Sequence, residues 1–253
     1  MNVTELILLT IRLGKTVLIL CGGMYRSGST YQFNIASAIV ELRGLGGRAV
    51  YSDYQSNPSR YIKSLSDKSK SHLVLKCHDL PNEYGVFSKS HEIRCFSSFR
   101  DIYDVVASWQ AMNRRRLTTK EGLQFARMAV TSFAKWEQLS DGVVKIFSYD
   151  RMIAEPKMTC RLMGEFLGVE LSDTEIDSIA DKCSVASLKT RLDNATEKEI
   201  TKHEKMAWDS QTLVHLTHFN GGTSGKGKNE LHEELLIALK SEFTDWQLTH
   251  GFS

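Results

Sequence analysis

A three-layer α/β fold, with a mostly parallel central sheet flanked by helices, is the fold class this sequence predicts. Three observations carry it. Short apolar segments rich in valine, isoleucine and leucine recur along the chain. Helical patterns separate them, the alternation of a parallel sheet covered on both faces. The first clear apolar segment runs through a glycine-rich turn into a helical pattern, the layout of a P-loop-like phosphate site.

Taken in order, Leu6–Ile11 is apolar but short, with Arg12 and Lys15 interrupting it. A spanning helix needs about 20 apolar residues, so this reads as a packing element. Strands are expected at Thr16–Cys21, Ala49–Tyr51, Leu73–Cys77, Ile93–Phe96 and Val143–Phe147. The first helix follows the glycine turn, with its apolar face on Ile35, Ile39 and Leu42. Pro58 after Asn57, and Pro156, suit first helical positions, where the missing N–H costs nothing. Thr118 with Glu121, and Ser172 with Glu175, have the spacing of capping boxes. From about Ser172 onward the pattern reads as helical, broken by the loop Asn220–Gly225. Leu231–Trp246 is an amphipathic helix expected to pack on the sheet. Phe125, Met128, Phe133 and Trp136 read as helix core, and Arg114-Arg115-Arg116 as the solvated end of a helix.

Composition is ordinary for a globular chain: of 253 residues, 42% are apolar and 25% charged. A net charge of +2 does not point to nucleic acid, but allows a local basic pocket for an anion. Three prolines and no low-complexity tract or linker argue for one domain over residues 1–253. Cys21, Cys77, Cys95, Cys160 and Cys183 are odd in number and widely spaced. They imply neither a disulfide framework nor a zinc site, and suggest a reducing, cytoplasmic compartment.

The run Gly23-Met24-Tyr25-Arg26-Ser27-Gly28-Ser29-Thr30 is the most informative stretch. It fits the template G-x-x-x-x-G-K-[ST] at every fixed position but one, where Ser29 replaces lysine. The amides of Ser27 to Thr30 are expected at a helix N-terminus, which carries roughly half a positive charge and donors without intrahelical acceptors. Arg26 adds a guanidinium suited to phosphate oxygens. Two other phosphate chemistries fit less well. Cys21 and Arg26 are one residue too close for a C-x5-R phosphatase loop. A P-loop kinase with an altered loop is the more serious rival. It needs the missing lysine and an acidic magnesium ligand at a strand end, and no convincing aspartate follows an apolar run.

The loop resembles that of sulfotransferases using 3′-phosphoadenosine 5′-phosphosulfate (PAPS), and Arg26-Ser27-Gly28-Ser29-Thr30 matches the family form [KR]-[ST]-G-[ST]-[ST] throughout. The resemblance implies that Arg26, Ser27, Gly28, Ser29 and Thr30 bind the 5′-phosphosulfate. It also explains the missing lysine, because PAPS has no bridge between β- and γ-phosphates. A second motif agrees. Arg100 is followed by Asp104, Val105, Ser108 and Trp109. This resembles the family's 3′-phosphate site, with Arg100 and Ser108 as its ligands.

The segment Leu73-Val74-Leu75-Lys76-Cys77-His78-Asp79-Leu80-Pro81 resembles the family's Lys-Thr-His-Leu-Pro, with Cys77 for threonine and Asp79 inserted. By that resemblance His78 is the general base, a role its ordinary pKa suits. Lys76, helped by Arg26, stabilises charge on the departing nucleotide. Tyr149, in Ser148–Met152 with Pro156 after it, matches a tyrosine beside the adenine. Gly222–Asn229 partly matches the late loop that closes over the 3′-phosphate. Asn220 and Gly221 stand at its usual Arg-Lys pair, and Lys226 and Lys228 are expected to supply the charge. His203, Trp208, His215 and His218 lie where the family builds acceptor pockets, with no spacing rule to single one out.

The resemblance therefore implies PAPS as donor, 3′,5′-diphosphoadenosine (PAP) as product, no metal, and direct in-line transfer to a hydroxyl or amine of a small-molecule acceptor. No nucleic acid or membrane partner is implied, and oligomeric state is left open. A non-catalytic nucleotide-binding module is the third reading, and the Lys76/His78 pair argues against it.

Overall fold

In the computed structural model, the described residues are 17–48, 71–81, 84–203, 206–216 and 224–252. The expected strand Ala49–Tyr51, the Asn57/Pro58 helix start, the segment Leu6–Ile11 and most of the loop from Asn220 lie outside them, as does His218.

Five strands form one parallel sheet: β1 (Val17–Gly23), β2 (Gly46–Arg48), β3 (His72–Lys76), β4 (Glu92–Phe99) and β5 (Val144–Ser148). Their order is β2-β3-β1-β4-β5, every neighbouring pair parallel. The chain leaves β1 toward β2 and β3 on one side, then crosses to β4 on the other. In a sheet of this kind the crevice beyond the carboxyl ends, at such a reversal, is where ligands bind. Gly23, Lys76, Phe99 and Ser148 are those carboxyl ends.

Successive strand side chains point to opposite faces, and the burial follows. Ile19, Cys21, Val74 and Phe96 pack with α1 (Ser29–Leu42), α6 (Pro156–Leu167) and α7 (Asp173–Cys183). Leu18, Leu20, Leu73, Leu75 and Cys95 pack beneath Trp136 of α4 (Thr119–Glu137). Beyond α4, α3 (Ile102–Asn113) and α10 (Glu233–Thr249) build a further apolar cluster. Short helices α2 (Tyr84–Ser90), α5 (Tyr149–Ala154), α8 (Val185–Asp193) and α9 (Gly227–Glu230) complete the described helices.

Both capping boxes form, with Thr118 and Ser172 accepting from the amides of Glu121 and Glu175. Pro156 opens α6. Three expectations need correction. The stretch after Ser172 is not all helical: β6 (Ile200–His203) and β7 (Met206–Asp209) pair antiparallel. Four-residue strands carry too little alternation to stand out from flanking helical patterns. The last helix packs on α3 and α4 rather than on the sheet, and Gln247 bonds the amide of Ile102 and the carboxylate of Asp101. Met128 is 45% exposed, on the outer side of α4. Arg114 caps α3 in a left-handed conformation, and Arg115 pairs with Glu121 at the surface.

Among the described residues, no helix is long and apolar enough to cross a membrane. All five cysteines are buried thiols, none in a disulfide.

Candidate active site at the carboxyl edge of the sheet

The turn after β1 brings backbone amides to the sheet's carboxyl edge. Gly28 caps α1 with φ 100°, and the first helical bonds are from Tyr31 and Gln32 to its carbonyl. The amides before Tyr31 therefore have no acceptor within the helix. A Cβ on Gly28 would lie 3.0 Å from the Tyr149 ring, so the turn touches that tyrosine only because the residue is glycine. Arg26 itself has φ 65°. That conformation aims its side chain across to α3, where Nε donates to Ser108 Oγ at 3.0 Å and Nη1 meets Met112 Sδ at 3.5 Å.

Ser27 goes the other way. Its hydroxyl is fully buried, donates toward the carbonyls of Met24 and Ser98, and lies 3.0 Å from Ser98 Oγ. It braces the loop against β4, while Arg26, Gly28, Ser29 and Thr30 line the cavity.

Three cations meet at this edge. Lys76, at the end of β3, is only 3% exposed. Arg100 follows β4, its guanidinium 4.2 Å from the Tyr149 ring centroid and 3.4 Å from both the Arg26 carbonyl and Asp104 Oδ2. Burial, then Arg26, lowers the Lys76 ammonium to about 8. Burial, then Arg100, lowers Arg26 to about 10. Gathering like charges out of water is unfavourable unless an anion joins them.

His78 stands beyond Lys76. Its carbonyl accepts from Trp136 Nε1 at 3.2 Å and Ser132 Oγ at 3.4 Å, which fixes its backbone to α4. Its Nδ1 is buried and makes no hydrogen bond among the described residues. Burial, then Lys76 and Arg26, lowers the imidazole to about 3, so at neutral pH it is uncharged and able to accept a proton. His215 is 8% exposed, and burial, Lys76 and Arg26 bring it to about 4.

The Gly28–Thr30 turn, the three cations and His78 line one cavity of about 1090 Å³ with its open mouth included; His215 is not among its lining residues. Of the residues singled out in the sequence, Arg26, Gly28, Ser29, Thr30, Lys76, His78, Arg100, Ser108, Tyr149 and Lys226 border it. Ser27 and Lys228 do not; the Lys228 ammonium lies 5.4 Å from the Tyr103 ring centroid. Sequence reasoning missed Tyr31, Ile153, Val185, Leu188 and Val214, the apolar end of the cavity. It also missed Asp104, whose motif position was noted without a role. No local pattern marks the apolar group, because it comes from three separate helices and a loop. Among the described residues, no group of three His, Cys, Asp or Glu is placed to hold a metal ion.

A family model described as a sulfotransferase domain matches residues 18–246. Comparison with curated protein sequences gave no match. Several solved structures share the fold. Mouse sulfotransferase SULT7A1, complexed with PAP, superposes with a TM-score of 0.66 at 15% identity, over 93% of this chain and 84% of that one. Retinol dehydratase with androsterone and the inactive cofactor PAP gives 0.61 at 13% identity, over 91% and 80%. The same protein with retinol and PAP gives 0.59 at 16% identity, over 92% and 81%.

Proposed function

The chain belongs to the sulfotransferase family and is a PAPS-dependent enzyme, and we propose that it sulfates a hydroxyl or amine of a small-molecule acceptor with His78 as the general base. The observation that carries this reading is the buried triad of Arg26, Lys76 and Arg100 around the helix N-terminus, an electrostatic arrangement that an anionic nucleotide completes.

The donor fits in two parts. The Gly28–Thr30 amides, Arg26 and Lys76 hold the 5′-phosphosulfate, while Arg100 and Ser108, with Lys226 from the late loop, hold the 3′-phosphate. Ser108 also orients Arg26 through their 3.0 Å hydrogen bond. Tyr149 and the apolar side chains Ile153, Val185 and Leu188 suit the nucleobase. PAPS supplies a sulfuryl group already bound to a good leaving group.

His78 Nε2 takes the proton of the acceptor O–H or N–H as that atom bonds to sulfur. The bond from sulfur to the phosphate oxygen breaks in the same step, and its electron pair stays on PAP. Lys76 and Arg26 lie where that charge develops, in a setting shielded from water. A positioned base of this kind contributes about 10²–10⁴-fold. The donor's negative charge opposes the effect of Lys76 and Arg26 on His78, raising its basicity when the site is filled. Buried thiols without disulfides support a cytoplasmic setting. The androsterone and retinol seen with retinol dehydratase are apolar alcohols; we include such alcohols, together with hydroxylated and amino metabolites, in the acceptor class.

The test is transfer of labelled sulfate from PAPS to an acceptor panel by wild type and His78→Ala. We expect transfer to at least one hydroxyl or amine acceptor, lowered about 10²-fold or more by the substitution, with PAP binding retained. Full activity in His78→Ala removes it from the base role.

A further inference from the structure

We propose that Asp104 is a positioning residue that seats the 224–230 segment on α3 and so delivers Lys226 to the donor cavity. This rests on the PAPS reading above. Asp104 lies in the first turn of α3 and is 3% exposed. Its two oxygens are divided between loop and cation. Oδ1 accepts the Gly227 amide at 2.7 Å, and Oδ2 accepts the Gly225 amide at 2.8 Å with the Arg100 guanidinium at 3.4 Å. A carboxylate withdrawn from water is costly unless its lone pairs are used, and these three donors use them.

Backbone packing repeats the message. A Cβ on Gly227 would stand 2.2 Å from the carbonyl carbon of Tyr103 and 2.5 Å from the Asp104 amide nitrogen. The loop therefore rests directly on α3, in a space only glycine leaves open. Lys228 then crosses over the Tyr103 ring, and Ser224 donates to the Asp150 carboxylate. Lys226, between these anchors, and Glu230, just beyond them, border the cavity with Arg26 and Arg100. One carboxylate thus ties the loop to the same guanidinium that stacks on Tyr149.

A simpler role predicts the opposite sign. A negative group lining an anion site opposes anion binding, so as a bystander its neutralisation strengthens binding. As the seat of the loop, its neutralisation weakens binding. Asp104→Asn keeps the shape and one acceptor but turns an N–H₂ toward a loop amide. Gly227→Ala breaks the same seat without touching a charge.

The experiment is calorimetric titration with PAP, steady-state kinetics with PAPS, and limited trypsin digestion at Lys226 and Lys228, on wild type and both variants. We expect PAP affinity to fall about tenfold or more in each. The KM for PAPS should rise in step, with kcat changed less than about threefold at saturation, and cleavage of the ligand-free loop should quicken. A global loss of structure would instead lower kcat with the active fraction and open sites along the chain. Unchanged or tighter PAP binding in the two variants overturns the proposal. Wild type that binds no PAP overturns the donor reading itself, and in that case the trypsin comparison alone decides whether Asp104 seats the loop.

Discussion

Tyr25 lies flat against the imidazole of His78, with ring centroids 4.9 Å apart and planes 21° from parallel, and its hydroxyl donates to Asp79 Oδ2 at 2.7 Å. The phosphate loop therefore carries the surface on which the base rests. Asp79, which interrupts the family's His-Leu-Pro pattern, is the residue that ties the two loops together.

The contact predicts a graded loss of turnover. Tyr25→Phe keeps the stack and removes one hydrogen bond worth about 1 kcal/mol, so kcat should fall about fivefold. Tyr25→Ala frees the ring, and a displaced base costs about 10²-fold. PAP affinity should change far less in both, as measured by titration calorimetry. A Tyr25→Ala enzyme with full kcat contradicts the positioning role.

The pH dependence of kcat/KM should be asymmetric. Lys76, at about 8 in the ligand-free protein, loses its charge as pH rises through that value, and with it part of the attraction for PAPS. The basic limb should therefore fall near pH 8, while the acid limb lies below the ordinary histidine range because His78 is held down to about 3. Lys76→Arg should move the basic limb above pH 9. An unchanged limb in that variant assigns it to another group.

Acid should destabilise the ligand-free protein through its buried histidines. His78 and His215 stay neutral when folded down to about 3 and 4, whereas in the unfolded chain they protonate near 6.5. The unfolded state thus binds more protons as pH falls from 6.5 toward 4, and stability drops by up to about 1.4 kcal/mol per pH unit for each group. His215→Gln removes one share of that slope. Urea unfolding of wild type and variant at pH 7, 6 and 5 should give converging stabilities, and parallel curves would rule out His215 as a contributor.

Gly28→Ala tests the turn. A non-glycine residue at φ 100° is strained by about 1–3 kcal/mol, and its Cβ would press on Tyr149 at 3.0 Å. The expected outcome is a lower unfolding midpoint in urea together with PAP affinity reduced about tenfold or more. Wild-type affinity in that variant would separate the loop from donor binding.

Much of this site is legible in the sequence because its parts are local. A strand, a glycine turn and a helix start fix where Gly28 to Thr30 fall, and strand ends fix Lys76 and Arg100. Both capping boxes appear where their spacing puts them. What the sequence does not reveal depends on facing. Ser27 and Ser29 share one loop, yet Ser27 turns inward to Met24 and Ser98. Lys226 and Lys228 sit two residues apart, and only Lys226 faces the cavity because Gly227 is pinned to α3. The β6–β7 hairpin and the apolar end formed by Val185, Leu188 and Val214 arise from long-range packing that no short window encodes.

The most direct test of the account is titration of the ligand-free enzyme with PAP in the presence of EDTA, alongside Arg100→Ala. Saturable binding at one site per chain, weakened about tenfold or more by Arg100→Ala, is the predicted result. No response to PAP, with binding only of ATP and magnesium, would contradict it and return the site to a kinase-like reading.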